Sequence, residues 1–112
     1  MELGGPLRIE DVVEIVRGAP AGLSDEVLRR VDASREVVVA AVEAGSVIYG
    51  VTTGLGGLAN VRLTPGHSTA LQHGLLRSHA VAVGNELPAV EVRAMLALRA
   101  HVLALGYSGV RR

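Results

Sequence analysis

The stretch from Pro88 or Ala89 to Leu105 constrains the fold more than any other. Val92, Met95, Leu96, Leu98, Val102, Leu103 and Leu105, with alanines between them, leave polar side chains only at Glu91, Arg93, Arg99 and His101. The spacing predicts a helix ending at Gly106, and a helix apolar on nearly every side is buried on nearly every side. A chain of 112 residues is one domain at most and supports only a modest core. Composition sharpens the conflict: the chain is 49% hydrophobic yet has no Phe and no Trp, so its apolar residues are almost all Val, Leu and Ala. A domain this small and this apolar exposes patches that mark a partner surface. The expectation is an obligate oligomer or a piece of a larger protein.

Three further helices are legible. Glu10 to Arg17 carries acids early and an arginine late, which suits the helix dipole, and Gly18 and Pro20 follow as a stop. Ser24 is an N-cap for Asp25–Ala44, where Val27, Val31, Val38 and Val42 recur near the helical period, Ser34 fills the intermediate place and Gly45 closes the segment. Thr64-Pro65 reads as N-cap and first residue of a helix running to about Val83, with Gly84 beyond it. On that helix Gln72, Leu76, His79 and Val83 share a face, while His67 and His73 fall elsewhere, in solvent. A lone histidine on an apolar face is more often a satisfied core residue than a functional one.

Between the second and third helices, Ser46-Val47-Ile48-Tyr49 favours an extended conformation and breaks into Gly50-Val51-Thr52-Thr53-Gly54-Leu55-Gly56-Gly57. A phosphate cradle is excluded, because Leu58-Ala59-Asn60 stands where a P-loop needs its Lys-Ser/Thr pair. A dinucleotide fingerprint is excluded as well: the third glycine is missing at its spacing and no second strand follows. On composition alone the segment is a flexible connector.

Other classes are bounded by charge and cysteine content. Net charge is zero with no clustering of either sign, which gives no footprint for nucleic acid or an anionic membrane. The absence of cysteine removes disulfides, thiolate metal sites and a cysteine nucleophile, and agrees with a reducing cytoplasm. Neither an export signal nor an uninterrupted apolar run of about 18 residues is present. The reading is a cytoplasmic chain with no metal, nucleic-acid or membrane partner.

Tyr49-Gly50-Val51-Thr52-Thr53-Gly54-Leu55-Gly56 resembles the tyrosine-loop motif of the aromatic amino acid ammonia-lyase and aminomutase family. Leu71-Gln72-His73-Gly74-Leu75-Leu76-Arg77-Ser78-His79-Ala80, Val83-Gly84, Val92-Arg93-Ala94-Met95, Leu98-Arg99 and Leu103 to Arg111 are similar to further words of that family, in order and spacing. The resemblance runs from about Leu7 to Arg112. It implies a mainly α fold: a single domain over 1–112, the helical N-terminal segment of a larger helical-bundle enzyme, with a short extended piece leading into the Gly-rich loop. It implies an active-site acid/base at Tyr49, a substrate-selecting histidine at His79, a glycine whose backbone passes the substrate at Gly56, and a pocket-shaping neighbour at Ala80.

The implied reaction is elimination of ammonia from histidine or tyrosine to an α,β-unsaturated acid, with an aminomutase outcome as the alternative. The implied partners are the amino acid substrate, the remaining part of the lyase chain and further copies of itself, four in the family. The chemistry fits the residue types. A hydrogen beside an amino group is weakly acidic, and a phenol serves as its base only when donors or positive charge lower its pKa from about 10. The chain has no lysine, so that help comes from arginines, helix ends or residues outside it. A histidine can pair with an imidazole or a phenol hydroxyl, which favours histidine or tyrosine over phenylalanine.

Two departures stand out. Thr52 and Leu55 occupy positions where the motif often has Asn and Phe. The family makes its electrophile, a methylidene-imidazolone, by cyclising an internal Ala-Ser-Gly that is absent here; Ala33-Ser34-Arg35 is the nearest approach. The isolated 112 residues are therefore expected to be inactive. The reading from a different class is a non-catalytic helical oligomerisation or interaction module that keeps the family's scaffold.

Overall fold

The computed structural model describes residues 1–112, the side chain of Pro65 excepted. Its four helices are α1 (Ile9–Val16), α2 (Asp25–Glu43), α3 (Pro65–His79) and α4 (Ala89–Ala104), with a 3₁₀ turn at Gly56–Leu58. The fold is all-helical, as expected: among the described residues the only β pairing is two isolated bridges, Glu2 with Gly22 and Thr53 with Arg62. The chain divides into two compact units, residues 1–38 with 86–112, and residues 39–85. Residues 25–38 of α2 belong to the first and the rest of that helix to the second.

In the first unit α1 packs on α4, and Leu3, Ile15, Val27, Ala97 and Ala104 form the core with Leu7 against it. α1 begins one residue earlier than its acids suggest. Asp11 reaches back to accept from the Arg8 backbone N–H at 2.9 Å, satisfying a donor the helix start leaves free. At the other end Arg93 donates to the Val16 carbonyl at 2.9 Å, a cation on the negative end of α1. Ser24 caps α2 as expected, accepting from Val27 N–H at 3.4 Å.

The valine stripe of α2 is buried at Val27 and Val31, while Val42, in the second unit, is exposed. Ser34 has a purpose beyond filling the stripe: its hydroxyl accepts from Gly109 N–H at 3.0 Å, and Arg35 donates to the Gly109 carbonyl at 3.2 Å. The N-terminus is tied to the α1–α2 connection through Leu3 N–H to Gly22 O and Gly22 N–H to Met1 O, both 2.9 Å.

One expectation needs correction: α3 stops at His79 rather than near Val83. Val81 and Val83 are β-branched and poor helix formers. Just before them the Ser78 and His79 side chains both turn onto the Leu75 carbonyl and compete with the backbone for it. Val83 therefore shares no helical face with His79, and Leu76, His79 and Val83 are all exposed. The apolar sides of α4, read from the sequence as faces for partner helices that the sequence lacks, are open in this chain: among the described residues α4 buries only Ala97 and Ala104, and Val92, Met95, Leu96, Leu98 and Val102 are exposed. No helix of the described residues is long and apolar enough to cross a membrane.

Candidate functional site

All four candidate residues lie in the second unit. The chain leaves α2 at Gly45 and runs through Ser46-Val47-Ile48 without pairing as a strand, then turns at Tyr49-Gly50. The extended piece is thus backbone without a ladder, held instead by a threonine. The Thr52 hydroxyl accepts from Ile48 N–H at 2.8 Å and donates to the Ser46 carbonyl at 2.7 Å, while Thr52 N–H returns to Ile48 O at 3.0 Å. Thr53 repeats the device one residue on. Its hydroxyl accepts from Gly50 N–H at 3.3 Å and donates to Gly54 O at 2.9 Å, and among the described residues it is the most deeply buried side chain, 2% exposed.

The far side of the loop closes against the near side. Gly54 N–H donates to Val61 O at 3.0 Å and Leu63 N–H to Thr52 O at 2.8 Å, and Ser68 of α3 donates its hydroxyl to Val51 O at 3.2 Å. Only glycine fits at 54, where a Cβ would sit 2.6 Å from both Leu58 Cβ and Leu58 O. Gly56 opens the 3₁₀ turn with φ +56°, a conformation that L side chains rarely adopt. The segment is consequently a closed, internally bonded turn and not the open connector its composition suggests.

Tyr49 projects from this turn, 63% exposed. Its phenol oxygen accepts from Gly56 N–H at 3.4 Å, which brings two of the candidate residues together and leaves the phenol proton free for a second partner. His79 and Ala80 stand at the C-terminal end of α3, His79 as its last residue and Ala80 as its cap, both exposed. Among the described residues no hydrogen bond joins this pair to Tyr49 and Gly56. His79 Nδ1 lies 3.0 Å from Leu75 O and 3.0 Å from Ser78 Oγ, and Ser78 Oγ–H donates to Leu75 O at 3.1 Å. Among the described residues His79 is exposed and has no acidic partner.

Sequence reasoning passed over Thr53, Ser68 and Ser78. The available signal was a Thr-Thr pair flanked by glycines, since short hydroxyl side chains beside a turn bond the local backbone. Thr52, at a position where the motif often has Asn, supplies the same kind of local donor and acceptor. Leu55, where the motif often has Phe, is half-buried, and its Cδ2 lies 3.1 Å from where a Cβ on Gly50 would be.

The residues present do not fit formation of the electrophile by cyclisation. Ala33-Ser34-Arg35 lies inside α2, lacks the glycine, and has its serine hydroxyl and its arginine engaged with Gly109. Among the described residues no three acidic, histidine or cysteine side chains gather as a metal site would require.

The comparisons with known proteins agree with one another. Histidine ammonia-lyase from Sorangium cellulosum is 48% identical over 115 aligned positions, covering 99% of this chain and 22% of the relative. The histidine ammonia-lyase of Streptococcus gordonii is 43% identical over 109 positions, covering 96% of this chain and 21% of the relative. Among solved structures, tyrosine aminomutase from Streptomyces globisporus superposes with a TM-score of 0.90 at 34% identity, over 96% of this chain and 21% of that one. Histidine ammonia-lyase from Trypanosoma cruzi gives 0.86 at 34% identity, over 98% and 22%. The chain thus spans about a fifth of the length of the relatives it matches. The family model for aromatic amino acid lyase matches residues 7–112, nearly the whole sequence, and the chain belongs to that family.

Proposed function

We propose that these residues supply the tyrosine acid/base loop and the substrate-selecting histidine of an aromatic amino acid ammonia-lyase that takes histidine or tyrosine. The observation that carries this reading is Tyr49: an exposed phenol on a turn closed by its own threonine hydroxyls, its oxygen held by Gly56 N–H and its proton uncommitted. A positioned group of this kind suits proton transfer at the carbon beside the substrate's amino group, because the loop's order is set before substrate arrives. Gly56 presents backbone to the substrate without a side chain in the way, His79 pairs with the ring heteroatom, and Ala80 shapes the pocket beside it. The 48% and 43% identity to histidine ammonia-lyases supports elimination from histidine; the aminomutase outcome is the alternative, since the solved lyase and aminomutase are both 34% identical to this chain.

Only the proton-transfer and substrate-pairing parts of the reaction belong to these residues; the electrophile lies outside them. The 112 residues alone are therefore inactive, and the reading is tested in a chimera. Residues 1–112 replace the matching region of the Sorangium cellulosum histidine ammonia-lyase, and ammonia release is followed in single turnover. Tyr49→Phe keeps the ring and removes the hydroxyl, and loss of a positioned acid/base group costs about 10²–10⁴-fold in rate. A Tyr49→Phe chimera within about threefold of its parent, well short of that range, makes Tyr49 structural and puts the interaction-module reading ahead.

A further inference from the structure

The hydrogen bonds at the end of α3 decide which way His79 reads its ligand. A carbonyl oxygen has no proton to give, so a neutral imidazole whose Nδ1 stands 3.0 Å from Leu75 O carries its proton on Nδ1. Ser78 completes the arrangement. Its own proton goes to the same carbonyl at 3.1 Å, which turns an oxygen lone pair toward the Nδ1–H at 3.0 Å. Leu75 O, Ser78 Oγ and His79 Nδ1 thus form a triangle in which two protons point at the carbonyl and none is left for Nε2. His101 shows the opposite case in the same chain: Gly4 N–H donates to His101 Nδ1 at 3.1 Å, which places the imidazole proton of His101 on Nε2.

We infer that the Leu75 carbonyl and the Ser78 hydroxyl hold His79 as the Nδ1–H tautomer, so that its solvent-facing Nε2 is a hydrogen-bond acceptor and selects ligands whose ring carries a donor. Ser78 is then a positioning residue that acts through His79. The ligand chemistry is a phenol O–H or an imidazole N–H; a ring that offers only a lone pair meets another lone pair and is refused. The identity of that ligand as an amino acid substrate rests on the proposed function, whereas the tautomer does not.

The test needs neither substrate nor turnover. The 112-residue chain is prepared with ¹⁵N-labelled histidine and its ring nitrogens are recorded by long-range proton–nitrogen correlation in alkaline solution, where imidazoles are neutral. Four ring systems are expected, from His67, His73, His79 and His101, and His79→Gln identifies its own by removing it. The expected result is a protonated-type nitrogen at Nδ1 and a lone-pair-type nitrogen at Nε2 for His79, with the reverse pattern for His101. A His79 spectrum with the proton on Nε2 overturns the inference. Ser78→Ala is expected to move His79 toward the Nε2–H pattern and Ser78→Thr to restore it; an unchanged pattern in Ser78→Ala overturns the role given to Ser78. Failure of the Tyr49→Phe chimera with the tautomer intact would instead sink the proposed function alone.

Discussion

Gly4 and Gly5 are adjacent, and the structure predicts opposite consequences for the same substitution. Gly4 is buried with φ +88°; its N–H donates to His101 and its carbonyl accepts from Arg30, which also bonds Ala104 O at 3.1 Å. A Cβ there would stand 2.7 Å from Ala104 O and 2.9 Å from Val27 Cγ1, one contact being backbone and the other the middle of the core. Positive φ costs an L-residue about 1–2 kcal/mol, and overpacking adds about 1–3 kcal/mol. The entropy that Ala removes from the unfolded chain returns at most about 1 kcal/mol. Gly4→Ala should therefore destabilise the chain by about 3 kcal/mol, a large share of the roughly 5–15 kcal/mol a domain possesses. Gly5 has no positive φ and nothing within 4 Å of its Cβ position, so Gly5→Ala should match wild type or exceed it by up to about 1 kcal/mol. Urea unfolding followed by far-UV circular dichroism measures both, and with a slope of about 1–2 kcal/mol/M the midpoints should separate by more than about 1 M. Coincident midpoints would refute the clamp around Gly4.

Three other outcomes are expected. In the chimera, His79→Phe should move preference from histidine or tyrosine toward phenylalanine, since an unpaired polar group on the substrate costs about 1–3 kcal/mol; competition between paired substrates reads the shift, and an unchanged ratio removes His79 from the pocket. The Asp11 carboxyl is held below its ordinary value first by the hydrogen bond from Arg8 N–H and then by the Arg8 side chain. Because its folded pKa is the lower one, its stabilisation of α1 is present above about pH 4 and lost as pH falls through the depressed value; a carbon-detected titration with an Asp11 midpoint at or above the ordinary one would contradict this. The exposed apolar residues of α4 and of α2, among them Met95, Leu96, Val37 and Val39, should drive self-association, and a stable monomer in light scattering at micromolar concentration would count against it.

The sequence by itself determined what depends on near neighbours. The positions of all four helices follow from apolar period and from signals such as Ser24, Gly45 and Gly106, each acting within a turn or two of its own place. The family was legible for a related reason: its words, from the tyrosine loop to Ser78-His79-Ala80, are contiguous and appear in order. Some features escaped although they are local. The closure of the loop by Thr52 and Thr53, and the stop of α3 at His79, depend on which rotamer a hydroxyl or imidazole adopts, and a residue letter does not state that. Others required atoms distant in the chain: Gly4 is held by His101 and Arg30, Gly109 by Ser34 and Arg35, and Val16 by Arg93. In those cases tertiary structure alone decided the outcome, because a backbone group takes whichever partner packing brings within reach, and no periodicity encodes a partner 26 to 97 residues away.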